Sequence, residues 1–456
     1  MQKLQTENKM GIMPVGKLLA AMALPMIISM LVQAMYNIVD SIYVARVSED
    51  ALTAVSLAFP VQNLMIGFST GVGVGVNSLL SKSLGSRDFD RANRAAGNGV
   101  ALAALCCLVF TVLGGFFSGF FFQTQSDQAV IVQGGTQYLT ICTVFSFGIF
   151  GEILFERLLQ ATGRTIYTMI TQGAGAILNI ILDPLFIFGG LGIPAMGVAG
   201  AAVATVVGQI VAFILAVVFH FTKNKDVKLS LSALKLRWSI QKPILGVGVP
   251  SVLMVAIGSL MTLCMNGILG DFSTTAVAVF GAYFKLQSFI FMPLFGLNNA
   301  MISIVAYNYG ARKPERIKRV ILLAMAVAFC LMLLGFLAFQ FCPDLLLSMF
   351  EPTQQFLDIG RTALRAIGWH YLAAGFCIVL SAVFQALGKG LYSTFNSMAR
   401  QLIALLPAAY LLSLTGRLEL VWWSFPIAEV MSLTVSVLLF IHLYRQRLKP
   451  MFRENP

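Results

Sequence analysis

ALPMIISMLVQAMYNIVDSIYVAR, residues 23–46, is the stretch whose reading decides the fold. It is apolar for longer than the roughly 20 helical residues that cross a hydrocarbon core of about 30 Å. Within it, Gln33, Tyr36, Asn37 and Asp40 recur at helical spacing. Facing lipid, that stripe would be prohibitively polar, so it must face other helices or a water-filled cleft. One such helix cannot exist alone, and the rest of the chain has to supply its partners.

The composition agrees. Of 456 residues, 58% are hydrophobic and 11% charged, with a mean hydropathy of +0.84, whereas soluble domains carry about 25% charged residues. This excludes a water-soluble enzyme. The excess of 31 Lys and Arg over 19 Asp and Glu could suggest nucleic acid, but that partner needs a solvated basic face. Here the bases sit in short gaps between apolar runs, so no nucleic acid is expected. Cys106, Cys107, Cys142, Cys264, Cys330, Cys342 and Cys377 form no CxxC pair, which argues against a disulfide framework or a zinc site. Lys3, Lys9 and Lys17 precede the first apolar run as in a signal peptide, but the run continues past Pro25 to Asp40, and further spans follow it. It is read as an uncleaved first span.

Runs of the required length predict twelve spans, near 17–44, 52–80, 95–118, 131–156, 166–188, 196–219, 244–269, 276–307, 320–341, 359–385, 393–413 and 420–442. With the N-terminus inside, 26 of the 31 bases fall in cytoplasmic segments, among them Arg157 and Arg164 after span 4 and Lys389 and Arg400 around the gap after span 10. The outer side keeps Arg46, Arg361, Arg365 and Arg417, and Lys285 lies within span 8. That bias places both termini of a multi-pass membrane protein in the cytoplasm.

Shifting the chain by 225 residues superposes its halves. Pro25 falls on Pro250, Phe59 on Phe284, Gln62 on Gln287, Gly71 on Gly296 and Gly85 on Gly310. Arg87, Arg91 and Arg94 fall on Arg312, Arg316 and Arg319, and Gln160, Ala161, Gly163 and Tyr167 on Gln385, Ala386, Gly388 and Tyr392. Each repeat holds six spans, an even number, so the halves are parallel and related by an axis along the membrane normal, a secondary-transporter architecture with substrate between halves that rock. The expected fold is all-α and integral to the membrane: twelve transmembrane helices in two six-helix bundles around a central cleft. Residues 1–220 form the N-terminal lobe, 221–243 a cytoplasmic linker and 244–456 the C-terminal lobe. The matched arginines, spaced i, i+4, i+7, predict one face of a short surface helix after spans 2 and 8 that anchors to anionic headgroups or takes part in gating. Gly71, Gly73 and Gly75 within span 2 predict close helix packing.

Acids inside spans are costly and point to function. The embedded ones are Asp40, Glu152, Asp183 and Glu429, with Glu156 near an inner edge. Asp40 precedes Arg46, and Asp183 precedes Gly189, by six residues each. At 1.5 Å per residue this sets both carboxylates about 9 Å below the outer surface. Asp183 also heads a stripe, with Gln172 and Asn179. Under the repeat Asp40 falls on Met265, and Asn179 and Asp183 on Ala404 and Ala408, so the scaffold is duplicated and the acid pair is not. Two carboxylates in low dielectric could share or exchange a proton, or bind Na⁺ with help from the Asn179 carbonyl; a static interhelical hydrogen-bond site is the alternative. Lys285, in place of Pro60, wants an anionic partner: Asp40, Asp183, Glu429 or an acidic substrate. Glu152, Glu156 and Arg157 read as an inner-leaflet structural network, Glu429 as the cap of a kink at Pro426, and His220, His370 and His442 as interfacial. Most of the 36 Phe and 21 Met pack helices or face lipid, while Phe150, Phe284, Phe291, Met292 and Phe295 are candidates to line a cleft that takes lipophilic cations.

These stretches resemble the multidrug and toxic compound extrusion (MATE) family over residues 15 to 445. The resemblance rests on the span 1 stretch above, LLSKSLGSRDFDRANR after span 2, LLQATGRT after span 4, LNIILDPLFIFGGLGIPAMGVAGAAVAT in spans 5 and 6, and NYGARKPERIKR after span 8. It implies that the cleft between the two bundles is V-shaped, and export of drugs and toxic organic cations in exchange for H⁺ or Na⁺, with Asp40, Asn179 and Asp183 matching an N-lobe coupling site and Gln33, Tyr36 and Thr205 nearby. Spans 7 and 10 lack the acids one branch uses, so the sequence is similar to the DinF-like bacterial branch.

The leading expectation is therefore an antiporter for small lipophilic or cationic compounds, working as a monomer among membrane lipids, with no cofactor beyond its coupling ion. Candidate substrate contacts are Gln33, Tyr36, Asn37, Thr205, Lys285 and Met292. A flippase for lipid-linked precursors or polysaccharide is the alternative on the same scaffold. An integral membrane enzyme would need paired His, a metal-spaced cluster or a phosphate-binding glycine loop, and the sequence has none of these motifs.

Overall fold

Short polar turns, rather than the edges of the bilayer, end the helices, so most of them run longer than a membrane requires. The computed structural model describes residues 8–190, 192–350 and 353–454; Lys3 and the side chain of Arg453 lie outside them. Span 1 is Val15–Ala45, span 2 Glu49–Gly85, span 3 Phe89–Gln125, span 5 Thr165–Phe188, span 6 Val198–Lys223, span 7 Trp238–Gly270, span 8 Thr274–Gly310, span 9 Pro314–Phe341 and span 12 Leu418–Phe452. Spans 4 and 10 are bent pairs, Ala129–Val144 with Phe147–Ala161 at 44° and Gln354–Gly368 with Tyr371–Ala386 at 50°. Span 11 runs through Gly390–Met398, a π-helical Ala399–Leu405 and Leu406–Ser413. Among the described residues the fold is all-α, twelve spans in two sets of six.

The repeat is visible in the turns. Ser48 and Ser273 open spans 2 and 8 by accepting the N–H groups of Ala51 and Ala276, each at 3.0 Å. Arg87 and Arg312 both sit at positive φ, 59° and 53°, as do Gly163 and Gly388, 80° and 75°. These tight turns correct one expectation. Span 3 begins at Phe89 and span 9 at Pro314, so Arg91, Arg94, Arg316 and Arg319 ride on the first turns of long spans and there is no separate surface helix. Arg400 corrects another: it lies in the π segment inside span 11, not in the gap before it, and so carries no topological signal. His220 and His370 are buried, not interfacial; His220 reaches Asn224 at 3.3 Å, and His370 sits at the bend of span 10, stacked on Phe291.

The halves meet near their basic ends, where span 2 packs on spans 7 and 8 and span 8 packs on span 1. Gly85 and Gly310 face each other across this seam: a Cβ on Gly85 would strike the Tyr307 carbonyl, and one on Gly310 the Lys82 carbonyl. Ser303 Oγ donates to Asn77 Oδ1 at 3.0 Å, and Ser78 Oγ to the Gln385 carbonyl at 2.8 Å. The segment Asn8–Met13 adds a strap. Asn8 Nδ2 donates to the Thr162 carbonyl at 3.0 Å, while Asn308, Lys313 and Arg316 donate to the carbonyls of Met10, Gly11 and Met13 at 2.7–3.1 Å. Toward the opposite end the halves diverge. Gly67 still touches Val255, but on the same helix faces Pro60, Leu64 and Ser259 are exposed. The cleft thus opens away from the basic face.

Between spans 6 and 7 the chain crosses on the basic side with a 3-10 turn at Leu231–Leu234. Buried Asn98 of span 3 holds this crossing, its Nδ2 donating to the carbonyls of Ala233 and Lys235 at 3.0 and 3.1 Å and its Oδ1 accepting the Arg237 N–H at 2.9 Å.

Candidate functional site

Spans 5 and 6 cross where Gly175 and Gly208 meet: a Cβ on Gly175 would lie 3.0 Å from the Gly208 carbonyl. That close approach brings Asn179 to Thr205. The Asn179 Nδ2 lies 3.3 Å from Asp183 Oδ1 and 3.4 Å from Thr205 Oγ1. With the amide turned over, its nitrogen donates to Asp183 Oδ2 at 3.3 Å and its oxygen accepts the Thr205 N–H at 3.1 Å. The second orientation satisfies both ends of the amide and is the one adopted. Asp183 is fully buried, one turn beyond Asn179, and the following Pro184 lacks the N–H that would bond the Ile180 carbonyl.

Span 1 brings the second acid. Asp40 is half-buried, and its Oδ1 is buried with no hydrogen-bond partner among the described residues. It is within electrostatic range of Asp183, of Tyr36 on its own helix, and of Tyr138 and Cys142 of span 4. Gln33 lies beside Tyr36 one turn back on the same helix, and Asn37 is exposed. Gln62 of span 2 donates to Tyr138 Oη at 3.2 Å. The sequence reading did not single out Tyr138 as a neighbour of the acids, although the repeat had marked Gln62.

Deeper toward the basic face, Glu156 accepts from Thr171 Oγ1 and Gln172 Nε2, both at 2.7 Å, and Gln172 Oε1 accepts from Ser29. This network knits spans 1, 4 and 5. Arg157 bonds Gln160 Oε1 at 2.9 Å and is buried against Gly73 rather than lying in a cytoplasmic loop. Glu152, one turn from Glu156, is half-buried and within range of Tyr36.

The other half is organised differently. Glu429 does not cap a kink: its Oε2 lies 3.3 Å from Arg400 Nη1 while the carboxylate is 2% exposed. Lys285 therefore does not have Glu429 as partner. It is exposed on span 8, its Nζ 6.0 Å from the Phe350 ring centre, and it pairs with no carboxylate among the described residues. Met292, also on span 8, is half-buried. The structure thus gathers Asp40, Asn179, Asp183, Thr205, Tyr36 and Gln33 in one half and leaves Lys285 and Met292 on the other.

The family model MatE matches twice, over residues 25–185 and 250–411, so the two matches start 225 residues apart. The chain belongs to the MatE family. The probable multidrug resistance protein YoeA of Bacillus subtilis is 25% identical over 415 residues, 90% of each chain. The FAD transporter of Shewanella oneidensis is 25% identical over 87% of this chain and 88% of its own. A solved structure described as the outward-facing conformation of a multidrug resistance MATE family transporter of the MOP superfamily superposes with a TM-score of 0.90 at 26% identity, covering 99% of this chain and all of that one. As a MatE protein the chain is a membrane transporter.

Proposed function

We propose that this transporter exports amphipathic, often cationic compounds from the cytoplasm in exchange for H⁺ or Na⁺, by alternating access, with coupling at Asp40 and Asp183. The observation that carries the reading is the pair itself. Asp183 is fully buried with one amide as its hydrogen-bond partner, Asp40 keeps a buried oxygen without a partner, and no Lys or Arg pairs with either among the described residues. An ionised carboxylate so placed is expensive, so the site is most stable when a proton or cation occupies it.

With the basic face as the cytoplasmic one, the cleft faces outward. Ions arriving from outside neutralise the acids, weaken their hold on a cationic substrate and release it; the neutralised protein then closes outward and opens inward, where the ion leaves and substrate replaces it. A one-for-one exchange of H⁺ for a monovalent cation moves no net charge, so the pH difference alone drives it.

Ethidium uptake into everted vesicles, the equivalent of export from the cell, under an imposed pH or Na⁺ gradient tests this, comparing wild type with Asp40→Asn and Asp183→Asn. Gradient-driven uptake should vanish in both variants, dye binding should weaken and lose its response to pH or Na⁺, and the gradient that drives the wild type names the ion. Coupled transport surviving both substitutions would sink the mechanism. Failure to move any cationic dye, with flavin adenine dinucleotide or a lipid-linked precursor moved instead, would overturn the substrate class.

A further inference from the structure

The basic face holds a cavity of about 350 Å³ lined by Lys82, Arg91, Lys242, Lys389 and Arg447, with Ser78, Gly246, Gly388 and the apolar Leu79, Pro243 and Leu387 completing the wall. That volume falls within the range of small-ligand sites. No acidic side chain lines it. Lys82 Nζ lies 5.0 Å from the Tyr309 ring centre, and Arg447 Nη1 donates to the same residue's Oη at 3.4 Å. Two of the cations therefore share one neutral tyrosine, and none of the five forms an ion pair with a described carboxylate. The acids nearest Lys82 and Arg91 in sequence are engaged: Asp88 caps the Arg91 N–H at 3.0 Å, and Asp90 pairs with Arg94 at 2.8 Å.

Topology explains why bases lie on this face, but not why five of them from separate segments converge on one concavity without a counter-charge. The placement is also particular. Lys82 and Arg91 come from spans 2 and 3, while Lys242, Lys389 and Arg447 come from span 7, the turn after span 10 and the end of span 12. The cavity straddles the seam between the halves, beside the Gly85–Gly310 contact.

We infer that this cavity is a binding site for a phosphate-bearing anion, either an anionic phospholipid headgroup or a free phosphorylated solute, and that its occupant favours the conformation closed on the basic face. A multiply charged group with several acceptor oxygens suits a ring of Lys and Arg donors. Because the cations belong to both halves, parting the halves dismantles the site, and a ligand that binds one conformation better must populate it. The binding site stands independently of coupling at the aspartates; the preference for one conformation rests on the alternating access proposed above.

The test uses the full chain in nanodiscs of phosphatidylcholine. Inorganic phosphate or pyrophosphate is titrated in, or phosphatidylglycerol is added to the lipid. Melting temperature reads binding, and the distance between spin labels on the basic ends of spans 3 and 9 reads closure. The comparison variant is Lys82→Gln/Lys242→Gln/Lys389→Gln. Apparent affinity should fall about fivefold for each cation removed, on the order of a hundredfold for all three. A saturable response to phosphate assigns a free solute, and a response to phosphatidylglycerol alone assigns the lipid; either must be lost in the variant, which should keep its ligand-free melting temperature. No response to either probe, or one that the variant retains, overturns the site. A melting response without a change in distance upholds the site and overturns its link to closure.

Discussion

Replacing Gly85 with alanine should push the protein off the conformation seen here without unfolding it. The added methyl would land on the Tyr307 carbonyl, with the Tyr307 carbonyl carbon at 2.8 Å and the Ala311 nitrogen at 2.9 Å. These are backbone atoms of span 8 and its turn, so no rotamer change relieves the clash; the two helices must separate. Overpacking of this kind costs about 1–3 kcal/mol, and here the cost falls only on the conformation in which spans 2 and 8 touch. The helix-propensity gain of Gly→Ala, up to about 1 kcal/mol, is common to both conformations and cancels in their ratio. The closed-to-open population ratio on the basic face should therefore fall about 5- to 150-fold. Gly310→Ala strikes the Lys82 carbonyl across the same seam; once one substitution has parted the helices the second has little left to disturb, so the double variant should fall well short of additivity. Distance distributions between spin labels on the basic ends of spans 3 and 9 read the ratio, with melting temperature as the control. An unchanged distribution, or a large fall in melting temperature without a change in the distribution, refutes the idea that this contact separates two functional states.

Arg400→Met leaves the buried Glu429 carboxylate without its partner and should cost about 3–5 kcal/mol, whereas Arg400→Met/Glu429→Leu should recover most of that loss; thermal unfolding that is equally impaired in both would discard the ion pair as the cause. Asn98→Ala removes three bonds to the crossing between spans 6 and 7 and leaves the carbonyl of buried Ala233 unpaired, at about 1–3 kcal/mol. Trypsin should then cut faster at Lys235 and Arg237, and an unchanged rate would count against Asn98 as the tether. Arg316→Ala should loosen the Asn8–Met13 strap, which keeps its bonds to Asn308 and Lys313, exposing Lys9 to trypsin while spans 2 and 3 stay protected; continued protection of Lys9 would show that Arg316 does not hold the strap.

Most of the fold could be read from the sequence because a membrane span declares itself by length and apolarity, and because the 225-residue offset ties one half to the other. The same offset relates details that only the structure shows: the serine caps at 48 and 273, and the positive φ of Arg87 and Arg312 in the turns between spans. What escaped was pairing between distant helices. Arg400 looked like a loop residue because a lone base early in a span usually ends one, and its neutralising acid is 29 positions away on span 12, at no helical spacing. The surface helix expected for the matched arginines failed because their spacing fits the first turns of a long span equally well. The five cations of the seam cavity each looked like a topology signal, and their convergence depends on how five separate segments pack.

The two halves now differ in a more specific way than an acid pair present in one and absent from the other. Each buries charge where its last two spans face one another. In the first half Asn179 of span 5 reaches Thr205 of span 6; in the second Arg400 of span 11 reaches Glu429 of span 12. Under the repeat Glu429 falls beside Thr205, on Ala204, and Ala404 takes the place of Asn179, so the two centres occupy corresponding crossings. One centre holds carboxylates with no paired base, and the other a carboxylate neutralised by its own arginine. A neutral internal pair has little need of an ion from either side of the membrane, while an unneutralised acid pair must find one in each conformation that exposes it. The duplication supplies two bundles, which on the proposed mechanism rock against each other. The single substitution pattern that provided Arg400 in one bundle and left Asp40 and Asp183 bare in the other confines the demand for an exchangeable cation to the first, and with it, on the proposed mechanism, the coupling to a gradient.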